Sequence, residues 1–302
     1  MKEISNKVDI LELEILSSIS NQKGEKIKIN SLGMLEKSKR KAYDGNTFFG
    51  FLGDENLNNE NTTNNINEEI DFVIKPKEKS NDKKTIGRYF RIRYDLNING
   101  YLIKDLECGF GTFKKITEKT KIKDCYLINM GISYIVCSFG VDEINLSETS
   151  IIDADKILII KVYSEVQSGE LHFFNPQQFK KIYIGRDAYC NIIVDDTLLS
   201  RFHCTIEYKE GNDEGWYISD GKGTDDISEE KPSTNGTWLC LMEETLIKDG
   251  MIFKSNQNQF KCRIIKQKKI KKSRRKYMNE IIIMNFIFYF VLCIFSFILL
   301  NM

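Results

Sequence analysis

The chain has 302 residues, of which 41% are hydrophobic and 29% are charged, so it is long enough for about two domains with buried cores. Its formal net charge is only +1, which argues against nucleic-acid binding by the molecule as a whole. The eight cysteines form no Cys-x-x-Cys pair, which argues against a zinc ribbon or a redox dithiol. We expect buried free thiols in a reducing compartment, and neither a metal nor another cofactor.

The first residues, MKEISNKVDILELEI, contain no apolar core of a signal peptide, so no secretory signal is expected. From there, short β-like runs separated by turn residues follow one another along the chain. Regular short strands with turn signals are typical of a β-sandwich, and the sequence therefore predicts an all-β fold. The predicted strands cover residues 11–18, 26–29, 71–74, 89–96, 100–106, 156–163, 171–174, 181–185, 191–194, 203–208 and 215–220.

The chain also repeats itself. The segment 100–113 (GYLIKDLECGFGTF) resembles 215–239, and the triplet Ile-Lys-Asp at 122–124 recurs at 247–249. The second match keeps an offset of 125 positions, whereas matches further upstream are differently spaced, which indicates an insertion in the first copy. Self-similarity at this scale predicts that one structural unit occurs twice.

We therefore predict two tandem β-sandwiches, at residues 8–140 and 154–265, joined by a linker at 141–153. The first sandwich contains an Asn-rich insertion at about 44–70. This insertion has too few apolar residues to repay the entropy of ordering, so it is predicted to be a flexible loop.

Three separated pieces of the second copy form an ordered pattern. They are YIGRD at 183–187, SRFH at 200–203 and STNGTW at 233–238. In this order, with a hydrophobic strand ending in Asp220 before the third piece, the sequence resembles the forkhead-associated (FHA) domain family over about 155–265. The resemblance implies a β-sandwich whose loops bind phosphothreonine peptides. It also implies that the first copy is a degenerate FHA-like domain.

The resemblance assigns phosphopeptide binding to five residues: Arg186, Ser200, Arg201, Thr234 and Asn235. Their chemistry fits this assignment, because guanidinium groups offer planar paired donors to phosphate oxygens. Hydroxyl groups can donate further hydrogen bonds, and an amide can both donate to and accept from a peptide backbone. The sequence thus predicts recognition of a Thr-phosphorylated protein or peptide at an arginine-centred site.

Three further residues are expected to support the site: Gly185, His203 and Gly236. A catalytic pairing of Ser200 with His203 is the competing interpretation. It lacks a third member, and the chain contains neither a Gly-x-Ser-x-Gly turn nor a phosphate-binding loop with lysine. We therefore expect no enzymatic activity and no small-molecule substrate.

The repeat allows the same positions to be compared in the first copy. There, residues 32–34 (Leu-Gly-Met) are aligned with 184–186, and residues 87–90 (Gly-Arg-Tyr-Phe) with 200–203. The turn at 234–237 is aligned with Gly-Phe-Gly-Thr at 109–112. On this alignment Arg88 is the only residue of the charged set that is kept, which predicts that the first copy does not bind phosphate.

The C-terminal segment differs from the rest of the chain. Residues 281–300 are mostly apolar and carry no charge, which meets the length of a membrane-spanning helix. The polybasic segment 266–276 precedes them, and a basic flank indicates the cytoplasmic side and favours anionic lipid. The sequence thus predicts a tail anchor that holds the protein at the cytoplasmic face of a membrane.

The function predicted from the sequence is a non-enzymatic phosphothreonine-binding adaptor or scaffold in signalling. The alternative applies if 281–300 does not span a membrane. The protein would then be a soluble cytoplasmic or nuclear factor that binds phosphoproteins or associates with nucleic acid through 266–276.

Overall fold

The computed structural model of the chain describes most of the residues between 8 and 267. All regular elements in this part of the chain are β-strands, so the all-β prediction is confirmed. Residues Ile10–Ile265 form one compact unit. The described residues are 8–18, 22–36, 38, 40, 44–51, 70–74, 86–140, 156–223 and 231–267.

Eleven of these strands lie before residue 140. They are β1 (Ile10–Ser17), β2 (Lys26–Asn30), β3 (Gly33–Met34), β4 (Asn46–Phe51), β5 (Phe72–Val73), β6 (Gly87–Asp95), β7 (Gly100–Asp105), β8 (Thr112–Lys115), β9 (Thr120–Lys121), β10 (Tyr126–Met130) and β11 (Ser133–Phe139).

Ten strands follow residue 156. They are β12 (Leu158–Tyr163), β13 (Ser168–Phe174), β14 (Lys181–Gly185), β15 (Ile192–Ile193), β16 (Cys204–Lys209), β17 (Gly215–Asp220), β18 (Thr237–Cys240), β19 (Thr245–Leu246), β20 (Ile252–Ser255) and β21 (Asn258–Ile265).

Period-two alternation of apolar residues builds these strands. In β1, Leu11, Leu13 and Ile15 are buried on one face, while Glu12 and Glu14 lie on the other. Because side chains of a strand alternate between faces, such a sequence must bury one face of the sheet. The strands accordingly pack as layers around two apolar cores.

One long sheet spans both cores. Its strand order is β13-β12-β11-β10-β18-β8-β20-β21-β1-β2-β3. Two five-stranded sheets complete the layers, with the orders β19-β7-β6-β4-β5 and β15-β14-β16-β17-β9. The multi-sheet, sandwich-like architecture agrees with the predicted fold class.

Each core takes strands from both halves of the chain. The first core contains Leu13 and Phe49 together with Phe260, which comes from the last strand. The second core contains Trp216 together with Met130 from β10. Strands β9 to β11 of the first half thus complete the second core, and strands β19 to β21 of the second half complete the first core.

Four consecutive strands of each half correspond in position. β8 to β11 recur as β18 to β21, each 125 positions later in the chain, to within one residue at the strand ends. At the centre of the long sheet, β8 pairs antiparallel with β18, and Lys114 faces Leu239, its own counterpart. A local two-fold relation therefore passes between these two residues.

This pairing differs from the expectation that residues 8–140 and 154–265 each form a separate sandwich. The physical reason is that corresponding strands with the same alternation can fill the same position, so exchanging them costs little. As limits of the repeated sequence, the two ranges stay a prediction.

Several sequence-based predictions fall on residues outside the described ranges. They concern the linker 141–153, most of the insertion at 44–70, most of the polybasic segment 266–276 and the whole apolar segment 281–300. Within the described ranges, no helix has the length and apolarity needed to cross a membrane.

Candidate functional site

The loops that carry the predicted site residues meet at one end of the second core. The loop after β14 lies beside the segment before β16, where the Arg186 amide donates to Ser200 O (3.4 Å) and the Asp187 amide donates to Arg201 O (3.1 Å). Backbone hydrogen bonds therefore hold the two arginines on neighbouring loops at fixed spacing.

Gly185 makes this close approach sterically feasible. A Cβ atom at this position would lie 2.2 Å from the carbonyl oxygen of Arg201, well inside van der Waals contact. The requirement for glycine here comes from backbone proximity. Any side chain would push apart the two loops that carry Arg186 and Arg201.

The turn before β18 joins the same cluster through Ser200. The amide of Thr234 donates to Ser200 Oγ (2.9 Å), and the two hydroxyl oxygens are 3.3 Å apart. The side-chain amide of Asn235 donates to Leu198 O (2.7 Å). Contacts between the loops themselves thus bring Ser200, Thr234 and Asn235 together.

His203 is fully buried beneath this cluster. Its Nδ1 accepts a hydrogen bond from the Ser200 amide (3.1 Å), so in the neutral ring Nε2 carries the proton and donates to Gly236 O (3.2 Å). Burial lowers the pKa of His203, which favours this neutral form. The histidine consequently ties the segment before β16 to the turn before β18.

This geometry also argues against the catalytic interpretation of Ser200 and His203. Within the described residues, the ring of His203 bonds to the backbone amide of Ser200, whereas the Ser200 hydroxyl meets Thr234. A nucleophilic serine needs its hydroxyl within hydrogen-bond reach of the base. The arrangement is that of a structural brace.

The turn around Gly236 is fixed by a small polar network. Gly236 has φ +76°, a conformation that favours glycine, and its amide donates to Ser233 Oγ (2.9 Å). Ser233 and Thr237 both donate their hydroxyls to Asp220 Oδ1, at 2.6 and 2.7 Å. Ser233 was not among the predicted site residues, although its position next to the Thr-Asn-Gly turn was a usable signal.

The cationic side chains at the site point into solvent. Arg186 and Arg201 are exposed, and no ion pair involves either of them within the described residues. Because an arginine stays charged at any physiological pH, both guanidinium groups are available to an anion. Together with the hydroxyls of Ser200 and Thr234, they form a donor-rich surface.

A second contact that sequence reasoning missed involves the turn between β10 and β11. The buried carboxylate of Asp196 accepts from the Ile132 amide (2.9 Å), the Ser133 amide (3.1 Å) and the Ser133 hydroxyl (2.9 Å). Its other oxygen accepts from the Leu198 amide (2.8 Å). The loop that leads to Ser200 is therefore attached to strands from the first half of the chain.

Strand pairing corrects the alignment of the first copy. In the parallel pair β4/β5, Gly50 occupies the place that Gly185 occupies in β14/β15. A Cβ on Gly50 would meet Gly87 O at 2.0 Å, the same close approach as at Gly185. The alignment of Gly33-Met34 with Gly185-Arg186 was wrong, because Gly33-Met34 forms the short edge strand β3 instead.

The corrected register places Phe51, a buried side chain, at the position of Arg186. Tyr89 is likewise the counterpart of His203. The carbonyl of Tyr89 accepts from the amide of Leu106, the residue after β7, and the carbonyl of His203 accepts from the amide of Gly221, the residue after β17. Arg88 therefore matches Phe202 rather than Arg201. The first copy keeps none of the predicted phosphate-binding side chains.

The expected burial of the cysteines holds for Cys137, Cys190, Cys204 and Cys262, whereas Cys108 and Cys240 are half-buried and Cys125 is exposed. All seven in the described part of the chain are free thiols, and burial raises the pKa of Cys137 to about 12. Over the same residues, no group of three or more His, Cys, Asp or Glu side chains is placed to hold a metal ion.

The fold and these loops define a sandwich-like all-β protein with a donor-rich loop cluster at one end of its second core. A model of the FHA domain family matches residues 182–254, the part of the chain that contains the loop cluster. FHA domains are phosphopeptide-binding modules and are generally non-enzymatic. The comparison with curated protein sequences returned no similar protein.

Two solved structures are similar to about a third of the chain. The Slr1951 protein from Synechocystis sp. is 21% identical, with a TM-score of 0.20, and the match covers 35% of this chain and 95% of that one. A structure described under phosphothreonine-dependent FHA domain interactions is 18% identical, with a TM-score of 0.15, over 33% and 90% of the two chains.

Proposed function

We propose that the protein binds Thr-phosphorylated proteins through the loop cluster of its FHA domain. One observation carries the proposal. Arg186 and Arg201, which have no ion-pair partner among the described residues, lie in the same loop cluster as the linked hydroxyls of Ser200 and Thr234. A phosphothreonine brings close to two negative charges and strong acceptor oxygens, which match these donors.

Each residue has a distinct part in the proposed complex. Arg186 and Arg201 neutralise the phosphate, and Ser200 donates its hydroxyl proton to a phosphate oxygen, since its lone pair already accepts from the Thr234 amide. Asn235 gives one amide proton to Leu198 O and keeps its second proton and its carbonyl for the peptide backbone. Thr234 supplies a further hydroxyl.

The same site supports an adaptor rather than an enzyme. Its donors are arranged to hold an anion, and Ser200 has no general base within hydrogen-bond distance in the described residues. We therefore propose a non-enzymatic adaptor or scaffold whose partners are selected by their phosphorylation state.

Phosphopeptide binding to the full chain tests this function. A library of phosphothreonine peptides is screened against the wild type, Arg186→Ala and Arg263→Ala, the last being an exposed arginine away from the loops. We expect Arg186→Ala to weaken binding by about 10- to 100-fold, from the loss of charge-assisted hydrogen bonds. Arg263→Ala should bind like the wild type.

Unphosphorylated versions of the selected peptides complete the experiment. The phosphate should account for most of the affinity, so these peptides should bind far more weakly. Equal affinity with and without phosphate, or an unaffected Arg186→Ala variant, would contradict the proposed function.

We also propose that the chain contains two FHA-like copies that exchange their last three strands. The support is the constant offset of 125 positions between β8–β11 and β18–β21, together with the mixed composition of both cores. On this proposal the first copy contributes strands and binds no phosphate, because Phe51 stands where Arg186 stands in the second copy.

Engineered cysteine pairs distinguish exchanged from unexchanged strands. Glu14 lies opposite Lys261 in the exchanged pairing of β1 with β21, and Val136 is the counterpart of Lys261 in the first half. Directly opposed residues are close enough for a disulfide. Glu14→Cys with Lys261→Cys should therefore form a disulfide within the monomer, and Glu14→Cys with Val136→Cys should not. Peptide mapping reads the result, and the reverse outcome excludes the exchange.

For the location of the protein, we propose from the sequence that residues 281–300 anchor it in a membrane and that residues 266–276 contact anionic lipid. The alternative is a soluble cytoplasmic or nuclear factor. Cell fractionation of the full chain and of a chain ending at residue 280 separates the two. Release of only the truncated chain from membranes agrees with anchoring, whereas a full chain found in the soluble fraction contradicts it.

A further inference from the structure

A depression of about 440 Å³ lies on the outer face of the long sheet, near the β8/β18 pair that relates the two halves. It joins the strands exchanged between the two halves, because it combines residues of β10 and β11 with residues of β20 and β21. Its walls are aromatic, apolar or neutral polar, with one exception, a lysine. The lining includes Phe110, Phe113, Asn129, Ile132 and Lys254.

Lys254 is the only charged side chain in this lining. Its ammonium donates to Asn129 Oδ1 and lies over the rings of Trp238 (4.6 Å) and Phe113 (5.9 Å). No carboxylate in the described part of the chain forms an ion pair with it. A partly buried cation with neutral neighbours keeps two donor protons for an anionic ligand.

The titration of Lys254 agrees with this environment. Burial lowers the pKa of its ammonium from 10.5 to about 8, because desolvation disfavours the charged form. At neutral pH the group is still mostly charged. An anion placed beside it would recover part of the solvation that the ammonium has lost.

The depression adjoins the FHA loop cluster. The indole of Trp238, which lies beneath Lys254, donates to Asn235 O (2.9 Å). On another side, the exposed Ile132 belongs to the turn that Asp196 holds beside Leu198. A peptide bound at the loops can therefore continue onto this part of the sheet without leaving the surface.

The exposed apolar rim favours a peptide over a small inorganic ion. Phe110 and Ile132 remain 62% and 48% exposed at the border of the depression. Such side chains can cover the aliphatic part of a bound residue, while the ammonium meets its charged end. Lys115 adds positive charge nearby, since its Cε lies 2.7 Å from where a Cβ of Gly236 would be.

We propose that this depression, here called the junction pocket, binds an acidic side chain of the phosphothreonine partner, outside the phosphorylated residue itself. The inference rests on the proposed function, because the FHA loops bring the partner to the pocket. It adds a second recognition element that exists only where strands of both halves meet. Partners would be chosen by phosphate and by one Asp or Glu at a set distance from it.

The test measures affinities of the full chain for phosphothreonine peptides with a single Asp placed at each position from five before to five after the phosphothreonine. Each peptide has a partner in which Asn replaces that Asp. At one position, we expect the Asp peptide to bind about five- to tenfold more tightly than the Asn peptide. Equal affinities at every position would overturn the proposal.

Lys254→Gln should abolish this preference, so that the Asp and Asn peptides bind to the variant with equal affinity. Lys261→Gln is the matched control, because Lys261 is exposed on the same face of the neighbouring strand and outside the pocket. It should keep the preference. A preference that survives in Lys254→Gln, or that is lost equally in Lys261→Gln, contradicts the assignment to Lys254.

If Lys254→Gln does not fold, chemical modification of the wild type decides. The Asp peptide should protect Lys254 from reductive methylation more than the Asn peptide does, and equal protection would overturn the proposal. The two proposals fail separately in these experiments. Binding that depends on the phosphate but shows no preference for Asp contradicts only the proposed role of the junction pocket. Binding that does not depend on the phosphate contradicts the proposed function.

Discussion

His203 links two of the loops that form the candidate site. It is buried, accepts from the Ser200 amide and donates to Gly236 O, so its ring must stay neutral to serve both partners. A second proton on Nδ1 would place an N–H against the N–H of Ser200. The loop geometry and the titration of this one side chain are therefore coupled.

We predict that the stability of the protein decreases as the pH falls below about 6.5, the usual value for histidine. The folded-state pKa of His203 is lowered by burial, so the unfolded chain binds more protons in the window between the two values. The stabilisation is complete above the unfolded value and is lost as the pH falls towards the folded one. The slope for one proton is about 1.4 kcal/mol per pH unit.

Denaturant unfolding between pH 7.5 and 5 measures this dependence. His203→Gln should flatten the curve over this window. The chain has only one other histidine, so His172→Gln is the natural control and should keep the wild-type slope. An unchanged slope in His203→Gln would show that another group is responsible.

Single residues of the second copy were predictable because each carries its own chemical signal. Gly-Arg, Ser-Arg-x-His and Thr-Asn-Gly keep a fixed order, and the structure brings these pieces into contact as expected. Asp196 gave no such signal. The hydrogen bonds of Asp196 come from a turn that lies more than 60 positions away in the sequence. No local pattern predicts which distant amides a carboxylate will meet.

At the level of elements, the turn between β10 and β11 supports the site from below. Ser133 and Ile132 bond to one oxygen of Asp196, and Leu198 bonds to the other. Leu198 in turn accepts from Asn235. A continuous set of hydrogen bonds thus runs from the first half of the chain to a residue of the proposed peptide contact.

Ser133→Ala should therefore weaken phosphopeptide binding although Ser133 lies outside the proposed peptide contact. It removes one charge-assisted hydrogen bond to a buried carboxylate, and we expect an affinity loss of about three- to tenfold, with some loss of stability. The measurement is a titration with the phosphopeptide selected for the wild type, at a temperature where both proteins are folded.

Asn258→Ala provides the matched control for this substitution. Asn258 is the counterpart of Ser133, since each is the first residue of its strand, β21 or β11, and each is buried. It should leave the phosphopeptide affinity unchanged. Equal losses in both variants would mean that general destabilisation, and not the contact with Asp196, is being measured.

Element pairing also explains the sequence-based error in the first copy. Gly33 and Gly50 each precede a hydrophobic residue at the end of a β-like run, so either could match Gly185. Only the parallel pairing of β4 with β5 distinguishes them. Downstream, where the offset of 125 is constant, the sequence alignment and the strand register agree.

For the whole molecule, both cores take strands from both halves of the chain, and this makes the two cores dependent on each other. The last strands of the chain contribute Phe253 and Phe260 to the first core, and β10 and β11 contribute Met130 and Ile135 to the second. The sequence could not predict this arrangement, because exchanged and unexchanged strands bury the same alternating faces. The difference lies in the connections and not in the apolar pattern.

This dependence predicts that both cores unfold in a single transition. Leu13 is fully buried in the first core, and Leu13→Ala should cost about 2–5 kcal/mol from lost contacts and the cavity left behind. Trp216 is in the second core, and in a Trp238→Phe background it is the only tryptophan. Its fluorescence therefore reports on the core that the substitution does not touch.

If the two cores unfold together, Leu13→Ala lowers the denaturation midpoint of Trp216 fluorescence as much as that of the circular dichroism signal. The reason is that Met130 and Ile135 cannot stay in the second core once the sheets of the first core separate. Independent sandwiches would instead give two transitions, with the Trp216 midpoint unmoved. Leu246→Ala, at an exposed position in the exchanged strand β19, should change neither midpoint appreciably.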